Sequence, residues 1–503
     1  MGIVFRQSAK NAIVTVTGAL LGAVIVALSV KFISRQEYGF IGNFTNYAVT
    51  ISQLLLFGIN YTLIVYIHKF ADNIRKRKLL FAWCFTLPGL LAVLGSGLYF
   101  LFRQWILGHF QLVDQPLMER YFIWLPVFTV LFIYLILFES YLGTQMKVAV
   151  AAFMREVVLR VVNIALILLF ALGYVSFGTL IIGTVLIYLI PVLILSLIAF
   201  RTKDFGFNFS ISDFSGAEYK DLLQFTWYHL LLTASVILIG SMDAMLLPIY
   251  DPNGFAVGAV FRVAVFLISF LQIPTKAMTT ASFTVLAKAF AENDKVKAAD
   301  LFLRSSINIF IATTGVALLL CCNLPGVIAV VGHGYGEVVP VFMILFAGQM
   351  VNIATGMNDQ VLTITNYYKF NFYLSLILMV SLFLLLRFLI PQYGIYGAAM
   401  GTTTTIVIFN AVKTYFVWRK LKILPFSGRT LLVIVAALPA IAAGVGLPHF
   451  FSNTSHVYVN ALLDVSVRSL VIVVAYVLML LWLKPSPDLE SYLASVKKNK
   501  RLF

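Results

Sequence analysis

Charge is scarce in this chain. Only 11% of its 503 residues are Asp, Glu, Lys or Arg, where a soluble domain carries about 25%. That scarcity excludes a soluble enzyme and a disordered protein. Cysteine is scarcer still, with three residues at Cys84, Cys321 and Cys322. All three sit in apolar runs without CxxC or Cys/His spacing, which excludes a disulfide framework and leaves buried or lipid-facing thiols. The six histidines, at 68, 109, 229, 333, 449 and 456, form no HExxH and no close pair. No metal site is expected from them. Gly332-x-Gly334-x-Gly336 lacks the Lys-Ser/Thr of a phosphate-binding loop and reads as a turn, so no ATPase and no cofactor is expected.

What is abundant is apolar surface. Hydrophobic residues make up 61% of the chain, and the mean hydropathy is +0.97. Apolar runs of about 20 residues, enough to cross a hydrocarbon core of about 30 Å, recur from end to end. They predict an all-α, polytopic membrane protein of about fourteen transmembrane helices. The spans lie near 11–33, 41–67, 79–102, 121–143, 156–173, 178–200, 223–248, 254–286, 304–323, 338–362, 370–390, 395–416, 430–447 and 464–483. The first reads as a retained span, because its apolar stretch runs to Phe32 with no small-residue cleavage site behind it.

The net charge of +16 would point to nucleic acid in a soluble protein. Here it is a topology signal. With the N-terminus cytoplasmic, the inner segments hold 27 Lys/Arg and the outer ones four, a strong positive-inside bias. Both termini are therefore expected in the cytoplasm and no nucleic-acid partner is expected. The basic tail Lys497–Arg501 reads as an anionic-lipid contact. The loop 206–222, rich in Gly, Ser and Asp, divides a lobe at 1–205 from a lobe at 223–425. Extra spans at 426–485 and a tail at 486–503 follow.

The halves echo each other. Glu37-Tyr-Gly39-Phe40-Ile-Gly42 opens the second span and Pro252-Asn-Gly254-Phe255-Ala-Val-Gly258 opens the eighth, 215–216 residues later. Tyr174-Val-Ser-Phe-Gly178 and Pro391-Gln-Tyr-Gly394 repeat at 216. Six spans separate the copies, so the repeat is parallel: two six-helix lobes plus two helices.

Polar groups inside a bilayer mark protein or water interiors. Asn43, Asn46, Thr50, Gln53 and Asn60 share one face of the second span. Arg262, Ser269 and Lys276 recur every seven residues in the eighth. Gln349, Asn352 and Asp359 follow helical spacing in the tenth. Interhelical glue is one reading of such stripes; a wet lumen is the other. For a lumen, Arg262 and Lys276 match phosphate, and Asn46, Gln53, Asn60, Gln349 and Asn352 match sugar hydroxyls. Asp243, Glu139 and Asp359 either neutralise the cations or bind a coupling H⁺ or Na⁺.

Tyr219-Lys-Asp-Leu-Leu-Gln-Phe, Asp243, Pro248, Gly254-Phe255-Ala-Val-Gly258, Gly332-His-Gly334-Tyr335 and Tyr393-Gly394-Ile-Tyr-Gly397-Ala-Ala resemble polysaccharide flippases of the MOP superfamily (Wzx type). The resemblance spans nearly the whole chain. It implies two lobes in a V, alternating access in the bacterial inner membrane, and transfer of undecaprenyl-pyrophosphate-linked oligosaccharide from the cytoplasmic to the periplasmic leaflet. Membrane lipid, a polysaccharide polymerase and glycosyltransferases are the partners it implies. Lipid II flippases and MATE multidrug exporters are similar in fold and are the alternatives; the drug exporters usually have twelve spans. A membrane glycosyltransferase or polymerase is the rival class, disfavoured by outer loops too short for a catalytic site. A channel is disfavoured by the repeat.

Overall fold

A backbone crossing lipid must satisfy its N–H and C=O groups within the segment, and a helix does so. The computed structural model describes residues 2–202, 205–210, 213–331, 334–447 and 457–491, and among these there are helices and no strand. In chain order the first are α1 (Gly2–Phe32), α2 (Arg35–Leu55), α3 (Ile59–Lys69), α4 (Ile74–Leu101), α5 (Arg103–Leu107), α6 (Gln115–Tyr121) and α7 (Trp124–Thr144). Next, α8 (Val148–Phe153) runs through a π-helical turn, Met154–Val158, into α9 (Leu159–Ala171). Then come α10 (Phe177–Leu186), α11 (Leu189–Phe200), α12 (Gly216–Tyr250) and α13 (Phe255–Ala291). The remainder are α14 (Lys295–Val331), α15 (Val338–Ala354), α16 (Asn358–Ile364), α17 (Tyr368–Leu421), α18 (Gly428–Gly446) and α19 (Val457–Leu483).

Among the described residues nine helical segments are long and apolar enough to cross a membrane, or up to eleven if each of two bent pairs is one span. The expected number was about fourteen. One source of the difference is α17, which continues through a non-helical Gly394 (φ 55°, ψ −132°). The expected eleventh and twelfth spans meet at that kink. Another is α1, whose described apolar part, Thr17–Phe32, is shorter than a full span. Gly332-His333 and the basic tail 497–501 lie outside the described residues.

Local chemistry sets the helix ends. Ser34 and Glu37 form a capping box on α2, and Ser215 and Glu218 form one on α12. Asn73 caps α4 through the Arg75 and Lys76 amides. Each cap satisfies N–H groups that have no partner in the first turn. Two bends of 44° separate α2 from α3 and α15 from α16. Both carry a glycine at positive φ, Gly58 (76°) and Gly356 (68°), a backbone region that other residues enter at a cost.

The chain divides into two compact units, Met1–Ala259 and Val260–Phe503. The first therefore includes α12 and the first turn of α13. Its core is aromatic: Phe40, Phe81, Phe128, Tyr141 and Phe255 are fully buried. In the second unit α18 and α19 pack on α14 through Leu318, Cys322, Ala436, Ala440, Ile472 and Tyr476.

Candidate functional site

In the first unit α2 lies along α12. The amide of Asn46 donates to the Ser241 carbonyl (3.3 Å), and Thr50 donates to the Ser241 hydroxyl (3.2 Å). The Tyr47 hydroxyl donates to the Met245 carbonyl (3.0 Å). Asn43 is buried and donates to the Gly39 carbonyl of its own helix (2.9 Å). Gln53 is half-buried. Asn60 is buried just past the bend, and its Oδ1 has no hydrogen-bond partner among the described residues. Through Asn46 and Thr50 the polar stripe is joined to α12, and each bond satisfies a group that lipid would leave unpaired.

The bend after α2 presses Gly58 onto α12. A Cβ there would come within 2.8 Å of the Leu230 amide nitrogen and 2.9 Å of the Thr226 carbonyl oxygen. Below it Thr62 and Thr226 share a hydrogen bond (2.8 Å), and Tyr61 stacks on His229. Tyr66 and Lys69 both donate to Asp221. Asp243 is buried on α12 and its Oδ1 accepts from the Ala244 amide (2.7 Å).

The start of α13 is held by residues far away in sequence. Asp114, fully buried before α6, accepts from the Phe255 amide (2.7 Å) and from Gln36 (3.0 Å). Burial pushes its carboxyl above the ordinary value, while the bonds from Gln36 and Phe255 pull it down. Gly39 of α2 lies so close that a Cβ would overlap the Phe255 carbonyl. Phe40 and Phe255, equivalent in the sequence echo, meet edge to face at 5.3 Å.

Other expected residues lie in the second unit. On α13 Arg262 is half-buried, whereas Ser269 and Lys276 are exposed. Gln349 is buried on α15. Asn352 accepts from Asn410 (3.1 Å), and Asn410 accepts from Thr355 (3.0 Å). Past the bend Asn358 donates to Thr414 (2.8 Å), and Asp359 pairs with Lys413 at 2.6 Å. The network brings Asn352 and Asp359 onto one arm of α17. Glu139, on α7 of the first unit, is paired with Arg155 at 3.1 Å.

Several of these partners were not singled out from sequence. Lys413, at the inner end of the span expected at 395–416, lies within α17 and is buried against Asp359. Its signal was present: Asn410, Lys413 and Thr414 share a face at three- and four-residue spacing. Asp114 gave no such signal, because its partner is 141 residues away. Arg468 is buried and donates to the Gly444 carbonyl in the last turn of α18 and to the Leu447 carbonyl just past it. Among the described residues no three His, Cys, Asp or Glu side chains form a group able to hold a metal ion.

No protein-family model matches the chain, and no curated protein matches it. Solved structures do. The lipid II flippase MurJ, in an inward closed conformation, aligns with a TM-score of 0.67 and 13% identity, over 93% of this chain and 97% of the flippase. An inward-facing MATE-family multidrug resistance transporter of the MOP superfamily aligns at 0.63 and 15%, over 82% and 98%. A MOP-superfamily transporter from Pyrococcus furiosus, described as having a binding pocket of reverse polarity, aligns at 0.54 and 14%, over 84% and 95%. The chain shares the fold of these transporters, which are not enzymes. At such identities the likeness is one of fold.

Proposed function

We propose that this chain is a flippase that moves a lipid-(pyro)phosphate-linked oligosaccharide from the cytoplasmic to the periplasmic leaflet by alternating access, for cell-surface polysaccharide synthesis. The observation that carries this reading is length of likeness. The flippase fold aligns with 93% of the chain, and the MATE folds with 82–84%. In this reading α18 and α19, packed on α14, are the two spans added to a twelve-span exporter plan.

The chemistry supports a phosphate-bearing lipid. In this reading Arg262 and Lys276 take the pyrophosphate, as fixed cations suit its oxygens. Asn46, Gln53, Asn60, Gln349 and Asn352 take sugar hydroxyls. Asp243, Glu139 and Asp359 are the acids available for coupling to H⁺ or Na⁺. The Lys/Arg asymmetry supports an inner-membrane protein with both termini cytoplasmic. A polysaccharide polymerase and glycosyltransferases are the proposed partners in the cell.

The test is lipid-linked glycan flipping in proteoliposomes, or complementation of a flippase-deficient strain. Arg262→Ala is expected to lower flipping tenfold or more at normal expression. Wild-type flipping by that variant removes Arg262 from the site. Asp243→Asn is expected to abolish dependence on an ion gradient. Drug efflux without glycan flipping would establish the MATE-like alternative.

A further inference from the structure

Four charged side chains run in series through the first unit, apart from the residues proposed to meet substrate. Arg155 donates to Oε2 of Glu139 on α7 (3.1 Å). Its Nε lies 3.4 Å from Oε1 of Glu156. Oε2 of Glu156 accepts from Arg160 (2.6 Å), and Arg160 also donates to the Gly18 carbonyl of α1. Gly18 is packed so closely that a Cβ would come within 2.7 Å of the Glu156 carboxylate. Arg155 and Glu156 sit in the π-helical turn Met154–Val158, a local geometry that is frequent at functional sites. Two carboxylates and two guanidiniums leave the series neutral.

The two acids are not equally satisfied. Glu156 has a guanidinium on each oxygen. Glu139 has one on Oε2, and its Oε1 is buried with no hydrogen-bond partner among the described residues. The Glu139 side chain is 16% exposed, against 55% for Arg155. A buried acceptor left unmade is costly, more so on an ion. Glu139 also lines a cavity of about 370 Å³ with His68, Ser140 and Thr144. That volume is ample for several waters at about 30 Å³ each.

We propose that Glu139 is a proton-binding site, loaded through this cavity, and that loading changes the charged series from neutral to +1 and releases Arg155 from α7. The proton settles on Oε1, and the carboxylate becomes a neutral carboxyl. Arg155 then loses a charge-assisted bond and keeps Glu156. The groups that face Glu139 are Arg155 and Glu156 from the π-turn and His68 of α3 across the cavity. A hard metal cation fits poorly: it wants about six or more oxygens, and a guanidinium already sits on this carboxylate. The purpose of the site rests on the transporter reading. Its chemistry does not.

The test is infrared difference spectroscopy of the full chain in lipid nanodiscs, between acid and alkaline pH, with no substrate added. A protonated-carboxyl band is expected that Glu139→Gln removes and Glu156→Gln leaves. Arg155→Ala is expected to move its midpoint to higher pH by about one unit, since a nearby opposite charge favours the ionised form. A band that survives Glu139→Gln, or falls with Glu156→Gln, overturns the proposal. Should Glu139→Gln fail to fold, Glu139→Asp is expected to keep the band at a shifted midpoint, and its unchanged midpoint overturns the proposal. Flipping assays on the same samples separate this outcome from a failure of the flippase reading.

Discussion

Asp114 and Phe255 are 141 residues apart, yet the Phe255 amide donates to the Asp114 carboxylate at 2.7 Å. A side chain before α6 thereby caps the first turn of α13, a service usually supplied by a neighbour in sequence. Asp114 has a second donor in Gln36, so α2, α6 and α13 converge on one carboxylate.

That carboxyl sits above its ordinary value, chiefly through burial. The sign follows by linkage. A folded value raised above the unfolded one, about 3.9, contributes stability that is full below that pH. The contribution is lost as pH rises through the folded value. Wild type is therefore expected to lose melting temperature relative to Asp114→Asn as pH leaves the acid range. Parallel melting curves against pH for the two proteins in detergent would exclude Asp114 as the titrating group.

Gly39 and Phe255 leave no room for a side chain. Gly39→Ala forces α2 off the start of α13 and is expected to cost about 1–3 kcal/mol, the usual penalty of overpacking. Thermal unfolding in detergent measures it; an unchanged melting temperature would mean that α2 shifts freely there.

Asp359 and Lys413 form an unequal pair. The Lys413 side chain is 10% exposed and that of Asp359 is 50% exposed. Asp359→Asn strands a buried ammonium, whereas Lys413→Met leaves a carboxylate that water can reach. Removing the partner of a buried charge is the costlier change. Asp359→Asn is expected to destabilise by about 1 kcal/mol more than Lys413→Met. The reverse order in matched denaturation curves would contradict the burial of Lys413.

Two glycines give opposite expectations. Gly58 has φ 76° and backbone atoms of α12 within 3 Å of a would-be Cβ, whereas Gly97 in α4 has nothing within 4 Å. Gly58→Ala adds left-handed strain of about 1–2 kcal/mol to the clash with α12. Gly97→Ala is expected to be neutral, or stabilising by up to about 1 kcal/mol. Equal melting temperatures for the two variants would show that the bend at Gly58 is readily rearranged.

Helices were legible because lipid makes each one solve its own hydrogen bonding. An apolar run of sufficient length needs no distant partner to be helical, so α4, α7, α12, α13 and α14 appear where their composition places them. The echo between Glu37-Tyr-Gly39-Phe40 and Asn253-Gly254-Phe255 was also readable, since it is a matter of residue order. Asn46 and Asp359 were found as polar groups in apolar runs. The span count was less legible, because Gly58, Gly356 and Gly394 bend or join helices without changing their apolar character.

Pairing was not legible. Sequence placed Lys413 at the basic inner end of a span, and packing buried it against Asp359. Periodicity put Asn46 on a polar stripe, and α12 supplied the Ser241 carbonyl it bonds. Nothing near Asp114 in the chain announces Phe255. The difference is physical. The apolar period is set by the solvent around each helix and is written locally. The partner of a polar side chain is set by which helix lies beside it, and that depends on packing among segments far apart in the chain.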